Sequence, residues 1–207
     1  MINVIQKYFP ELTEKQLALF DQVEKLYPQW NEKINVVSRK DIDELNVRHV
    51  LHSLAIAQYV KFVQGTTVVD VGTGGGFPGI PLAIYYPQCR FHLIDSIGKK
   101  IKVVQTIITE LGLKNVTAEQ VRSEKHTNKY DFVVSRAVTA FPKFVTLTRH
   151  LVSSKNKNAV PNGILYLKGG DFEEEIKPFK NKTSVVKLSD YYKEAFFDTK
   201  KLIHLTR

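Results

Sequence analysis

Thr66-Thr67-Val68-Val69-Asp70-Val71-Gly72-Thr73-Gly74-Gly75-Gly76-Phe77-Pro78-Gly79-Ile80-Pro81 decides the fold of this 207-residue chain. Its first six residues are β-branched except Asp70, which is the composition of a strand packed on both faces. The strand stops where glycines begin, and glycine adopts backbone angles closed to other residues and lets a ligand approach the main chain. Pro78 and Pro81 suit the first turn of a helix, where a missing N–H leaves no bond unmade. Strand, glycine turn and helix in that order open a βα unit.

The same alternation continues downstream. Arg90–Asp95 reads as a second strand, Lys99 to about Leu111 as a helix capped by Gly112, and Val116–Val121 and Tyr130–Ser135 as short strands. A helix near Phe141–Leu151, a polar loop over Ser153–Asn162, a strand over Gly163–Lys168 and a short acidic helix over Phe172–Phe179 follow. Thr183–Leu188 and Ala195–Thr206 close the chain as strands with no helix between them. Repeated βα units predict an α/β, Rossmann-like fold, with a mostly parallel seven-stranded sheet carrying an antiparallel edge strand. Upstream, residues 1–64 read as a helical extension packed on a 65–207 domain. Thr13-Glu14-Lys15-Gln16 is a capping box, and Leu17, Phe20, Val23, Tyr27 and Trp30 form one apolar stripe. Pro28 should kink or restart that helix. A second helix should open at Asp41, and a third should run through Leu54–Ala57.

The glycine turn and the acid Asp95, 19 residues after Gly76 at the end of the second strand, form a nucleoside-binding pattern. A carboxylate there can accept hydrogen bonds from a ribose diol. Gly74-Gly75-Gly76-Phe77-Pro78-Gly79 matches G-x-G-x-x-G and allows a dinucleotide, hence a nicotinamide-dependent oxidoreductase. Gly72-Thr73-Gly74-Gly75-Gly76 also matches the tighter G-x-G-x-G turn of S-adenosylmethionine (SAM) methyltransferases. The glycines start directly after Val71, and two prolines crowd a helix start whose amides a pyrophosphate would need. Both features favour SAM, and both ligands stay open at this point. Asp70 reads as a loop anchor, and Cys89 as a core residue rather than a nucleophile.

Thirty Lys+Arg against 21 Asp+Glu give +9, unevenly placed. Residues 1–64 carry eight basic and eight acidic groups, 65–152 eleven and six, and 153–207 eleven and seven. The excess therefore lies wholly on the sheet domain, which points to a polyanionic partner. One cysteine excludes a disulfide framework and a Cys-rich metal site and fits a reducing cytoplasm. No apolar run reaches the ~20 residues of a membrane span, and the start lacks a signal-peptide pattern.

An ordered series extends over about residues 12–190. Trp30-Asn31 with Ile34-Asn35 comes first, then Arg48-His49-Val50-Leu51-His52-Ser53 and Asp70 through Pro81. Asp95-Ser96, Lys99-Lys100, Arg122-Ser123-Glu124, Ser135-Arg136-Ala137 and Leu167-Lys168-Gly169 complete it. Together these resemble the glucose-inhibited division protein B family. The resemblance implies a class I SAM-dependent methyltransferase that modifies a guanine N7 in small-subunit (16S) ribosomal RNA. It implies SAM contacts at Gly72, Gly74, Gly76, Phe77, Asp95, Ser123, Glu124 and Arg136. Arg48, His49, Lys100, Arg122 and Lys168 are implied as RNA-facing. The expected partner is 16S rRNA or the small subunit, met by a cytoplasmic monomer without a metal. Lys125 departs from the family, many members having a second acid after the position of Glu124.

N7 of neutral guanine carries a lone pair and no proton, so no general base and no catalytic side chain beyond positioning groups is expected. The chain holds no obvious Ser/His/Asp or Cys/His constellation, no Asn-Pro-Pro-Tyr-like motif and no Pro-Cys nucleophile. A non-catalytic RNA-binding assembly factor with a degenerate pocket is the alternative from outside the enzymes.

Overall fold

A computed structural model describes residues 4–38, 40–136 and 138–207. Met1-Ile2-Asn3, Arg39 and Ala137 of the Ser135-Arg136-Ala137 stretch lie outside them. After a short helix α1 (Val4–Tyr8), α2 (Glu14–Lys33) starts at Thr13 with the complete capping box, Thr13 and Gln16 satisfying each other's amides. Phe20, Val23 and Tyr27 of its stripe are buried. Pro28 does not break this helix. The carbonyl that loses its donor belongs to Glu24, which is exposed, so water can take the donor's place. The expected second and third helices are one run in which a 3₁₀ turn (Ile42–Glu44) and a π-helical turn (Asn46–Leu51) lead into α3 (His52–Tyr59).

The βα units follow as β1 (Thr67–Val71), α4 (Gly79–Tyr85), β2 (Arg90–Asp95), α5 (Gly98–Glu110), β3 (Val116–Gln120), β4 (Phe132–Arg136), α6 (Phe141–Thr148) and β5 (Gly163–Gly169). A four-residue helix α7 (Glu173–Ile176) with a 3₁₀ continuation (Lys177–Lys182) replaces the longer acidic helix expected. Then come β6 (Thr183–Lys187) and β7 (Lys200–Thr206). The last strand begins five residues later than expected, because Ala195–Phe197 is a 3₁₀ turn that buries Phe197 instead of pairing.

The seven strands are ordered β3-β2-β1-β4-β5-β7-β6. All pairs are parallel except the two made by β7, which runs antiparallel between β5 and β6 and leaves β6 at the edge. Alternate residues along each strand supply the two faces. Val68, Leu93, Val134, Leu165 and Leu202 join the cluster that includes α2, α3, α4 and α5. Val69, Ile94, Val133, Ile164 and Ile203 pack against Phe141, Phe144 and Val145 of α6. The apolar stripe of α2 thus shares one core with the sheet.

The polar loop after α6 is a strap. Asn158 accepts from the amide of Val63 (3.0 Å) and the hydroxyl of Thr66 (3.0 Å). Lys157 reaches the Gly65 carbonyl (2.6 Å) and the Asp131 carboxylate (3.0 Å). Its polarity serves the backbone entering β1 and β4.

Candidate functional site

Gly72, Gly74 and Gly76 all take positive φ, at +69°, +58° and +95°. Two carboxylates hold the turn between them. Asp70, 1% exposed, accepts from the hydroxyl of Thr73 (2.7 Å) and the amide of Gly79 (2.9 Å), which fixes both ends of the loop. Burial pushes its carboxyl up to about 7, opposed by these two hydrogen bonds. Asp95 accepts from the amides of Gly74 (3.0 Å) and Ile97 (2.9 Å), tying the loop to the end of β2. The Ile94 carbonyl takes the amides of Gly72 and Thr73, Thr73 takes those of Gly76 and Phe77, and Gly76 takes that of Ile80. Pro78 has no amide to give, so the N-terminus of α4 offers a ligand almost no free donors.

The N-terminal segment forms the wall behind this loop. Asn31 accepts from the amides of Val36 and Val37, both at 2.9 Å, which turns the chain after α2. Val36 then lies so close to Gly75 that a Cβ there would stand 2.9 Å from its carbonyl oxygen. Tyr27, buried in α2, donates to the Gly75 carbonyl at 2.6 Å.

A cleft of about 500 Å³ opens at the carboxyl ends of β1, β2 and β4. It gathers Gly72, Gly74, Phe77, Asp95, Ser123, Glu124 and Arg136 on its lining, with Lys100 and Arg122. Ser123 donates to Glu124 (3.0 Å), and the backbone amide of Glu124 first, then this bond, hold the Glu124 carboxyl below its ordinary range. Gly76 is off the lining: a Cβ there would strike Ile80 at 2.5 Å, so glycine is needed for packing.

Arg136 enters the cleft from the end of β4 as a half-buried guanidinium. It donates to the Arg48 carbonyl (3.2 Å) and to Nδ1 of His49 (2.7 Å), and lies 5.4 Å from the centre of the Phe77 ring. Burial lowers its pKa to about 10. A guanidinium only donates, so His49 Nδ1 is unprotonated and the ring proton sits on Nε2. Burial first, then Arg136 and Arg48, bring His49 down to about 3, so it is neutral at pH 7. The π-helical turn delivers Arg48 and His49, neighbours in sequence, to one guanidinium.

Three of the basic residues implied as RNA-facing have partners within the protein. His49 is 7% exposed, packed edge-on against Phe77 at 5.1 Å. The Arg48 side chain is paired with Asp41 (2.8 Å) and Glu44. Lys168 is half-buried and paired with Glu175 (2.5 Å). The sequence reading missed Val36, Ile97, Val138 and Leu147, which also line the cleft. Ile97 and Val138 are each 48% exposed, apolar surface left open at the cleft. Among the described residues no His or Cys lines the cleft, no cluster of three or more His, Cys, Asp or Glu could hold a metal, and no helix is long and apolar enough to cross a membrane. Cys89, buried ahead of β2, has its thiol pushed up to about 11 by burial.

The strand order, the reversed β7 and a glycine turn facing the acid of β2 define a class I methyltransferase fold. Magnesium protoporphyrin IX methyltransferase from Synechocystis, solved with bound SAM, shares it at a TM-score of 0.62 and 16% identity, over 95% of this chain and 99% of that one. A SAM-dependent methyltransferase from Aquifex aeolicus matches at 0.57 and 16%, over 82% and 98%. The family profile described as rRNA small subunit methyltransferase G matches residues 16–203, and the chain belongs to that family, GidB. Ribosomal RNA small subunit methyltransferase G of Flavobacterium johnsoniae is 56% identical over 204 residues, covering 99% of this chain and 97% of its own. The Bacteroides fragilis protein of the same name is 50% identical over 205 residues, covering 99% and 100%. The chain is therefore a methyltransferase rather than a nicotinamide oxidoreductase.

Proposed function

We propose that this protein transfers the methyl group of SAM to N7 of a specific guanine in 16S ribosomal RNA, acting as a cytoplasmic monomer in which residues 1–64 brace a 65–207 catalytic domain. The observation that carries the cofactor assignment is the occupancy of the loop amides. Carboxylates of Asp70 and Asp95 sit where a pyrophosphate would need open donors, while Asp95 keeps lone pairs for a ribose. A cofactor without phosphates fits that donor set; a dinucleotide does not. SAM supplies an electrophilic methyl on a sulfonium.

The chain's own groups then position. Asp95 accepts from the ribose, Ser123 and Glu124 border the base, and Gly72, Gly74, Phe77 and Arg136 hold the remainder. Ile97 and Val138 lose their exposed apolar surface when the cleft fills, which excludes water from the reacting atoms. N7 brings its own lone pair, so no side chain needs to remove a proton. Orientation of this kind can supply roughly 7–11 kcal/mol of the barrier. N7 faces the deep, narrow groove of A-form RNA, so the target guanine must be unstacked or in a loop. Lys100 and Arg122 at the cleft meet the RNA. Incubating the protein with tritiated SAM and small subunits from cells lacking it should place label on N7-methylguanine of 16S RNA. Label on another atom would refute the N7 assignment, and no transfer at all would refute the reading as a whole.

His49 positions Arg136 rather than touching RNA. His49→Leu removes the Nδ1 acceptor and should weaken SAM binding roughly 10-fold, the scale of one hydrogen bond to a charged group. His49→Asn places an oxygen near the same point and should restore most of it. Calorimetric titration checks both; equal affinities for Leu and Asn would detach His49 from this role.

A further inference from the structure

The Leu167-Lys168-Gly169 stretch ends β5 at the edge of the sheet where ligands of open α/β folds bind. Its lysine is already engaged, with Glu175 at 2.5 and 2.6 Å, and Glu175 also accepts the amide of Phe141. Its glycine has a different role. Gly169 pairs across the antiparallel ladder with Lys200, and a Cβ on it would lie 2.8 Å from Lys200 Nζ and 3.1 Å from Cδ. The missing side chain is the space in which Lys200 lies. The Lys200 ammonium stands 4.7 Å from the centre of the Phe196 ring, and the Arg48 guanidinium is 5.5 Å from the same ring. Lys201, the next residue, lies 5.0 Å from the ring of Phe172. Among the described residues neither Lys200 nor Lys201 has a carboxylate within salt-bridge distance. Lys201 also stands directly opposite Lys168, a like-charge pairing that sheets disfavour.

We propose that Lys200 and Lys201, which leave opposite faces of the sheet at the start of β7 and lie against Phe196 and Phe172, form the two sides of a ledge at the sheet's rim that holds the phosphate backbone of the RNA strand flanking the target guanine. The proposal rests on the RNA-methyltransferase reading and adds to it a surface distinct from the cleft. β7 stands two strands from β4, so at about 4.8 Å per strand the ledge lies roughly 10 Å from Arg136. A single strand whose base enters the cleft passes within reach. Two ammonium groups without a carboxylate partner, one on each side of the rim and each held against an aromatic ring, match a polyanion that crosses the rim.

The test uses the full-length protein and 16S RNA in filter binding over a range of salt. Lys200→Gln should weaken RNA binding about 3- to 10-fold, and the slope of log affinity against log salt should fall by about one phosphate contact. Lys200Gln/Lys201Gln together should lower the slope by about two. SAM affinity by calorimetry should stay at the wild-type value, and Lys200→Arg should recover RNA binding. Lys15→Gln, an exposed change at the start of α2, serves as the charge control. A double variant with the affinity and slope of Lys15→Gln overturns the ledge. Failure of the wild type to methylate RNA would instead overturn the catalytic reading, and the binding measurement still judges the ledge.

Discussion

Replacing Asp95 by Ala is expected to weaken SAM binding by one to two orders of magnitude while RNA affinity stays within about twofold. The carboxylate is 8% exposed, lines the cleft and bonds two amides, those of Gly74 and Ile97. Its remaining lone pairs are the acceptors available to a ribose at the end of β2. A hydrogen bond to a charged group contributes about 1.5–3 kcal/mol, and each 1.4 kcal/mol is tenfold in affinity. Removing the carboxylate takes away the ligand contact and also releases the loop from β2. Lys200 and Lys201 are untouched, so the RNA surface persists. Calorimetry with SAM and filter binding with RNA separate the two effects. A variant with wild-type SAM affinity would place the ribose elsewhere in the cleft.

Asp70→Asn should change how stability depends on pH. The folded carboxyl, at about 7, lies above the ~3.9 of an unfolded aspartate, so the folded state prefers the protonated acid. The stability this gives is complete below about pH 4 and is lost as pH rises through 7. Three pKa units correspond to roughly 4 kcal/mol. Asparagine can keep an oxygen for Thr73 and Gly79 and carries no charge, so it should gain on the wild type steadily from pH 4 to pH 8. Denaturant titrations at several pH values check this; parallel curves for the two proteins would show that Asp70 does not titrate in that window. Asp70→Ala should instead cost about 2–5 kcal/mol at every pH, since a buried amide and a buried hydroxyl lose their acceptor.

Much of the fold was legible because its central strands β1, β4 and β5 are buried on both faces and are rich in apolar residues. β2 spans Arg90–Asp95 as the sequence indicates, and β1 differs by one residue. The rule that proline interrupts a helix failed at Pro28, where the residue that loses its donor, Glu24, is exposed to water. Where 3₁₀, π and α turns succeed one another, residue spacing no longer tells which side is inward. His49, implied as RNA-facing by the family resemblance, sits on that run, buried against Phe77 and bonded to Arg136. The glycine turn and Asp95 stood out because backbone strain and charge restrict the residue types such positions accept, whereas Ser123, Glu124 and Arg136 entered only through the family resemblance. The pairing of Lys168 with Glu175 was not legible because Glu175 sits beyond a turn on another element. Val36, Ile97, Val138 and Leu147 are ordinary apolar residues whose place at the cleft depends on three-dimensional packing alone.

The contact of Tyr27 and Val36 with Gly75 bears on the order in which the chain can mature. Both residues leave the ribosome before the loop they support exists. Until β1, the turn and α4 have followed, the stripe of α2 lacks the part of its cover that they supply. A chain begun at Gly65 would have the opposite defect, a glycine turn with no wall behind it and no hydroxyl on its carbonyl. Each segment is the other's template, so neither half reaches a competent cleft alone, and the first-made helices are among the last parts to settle.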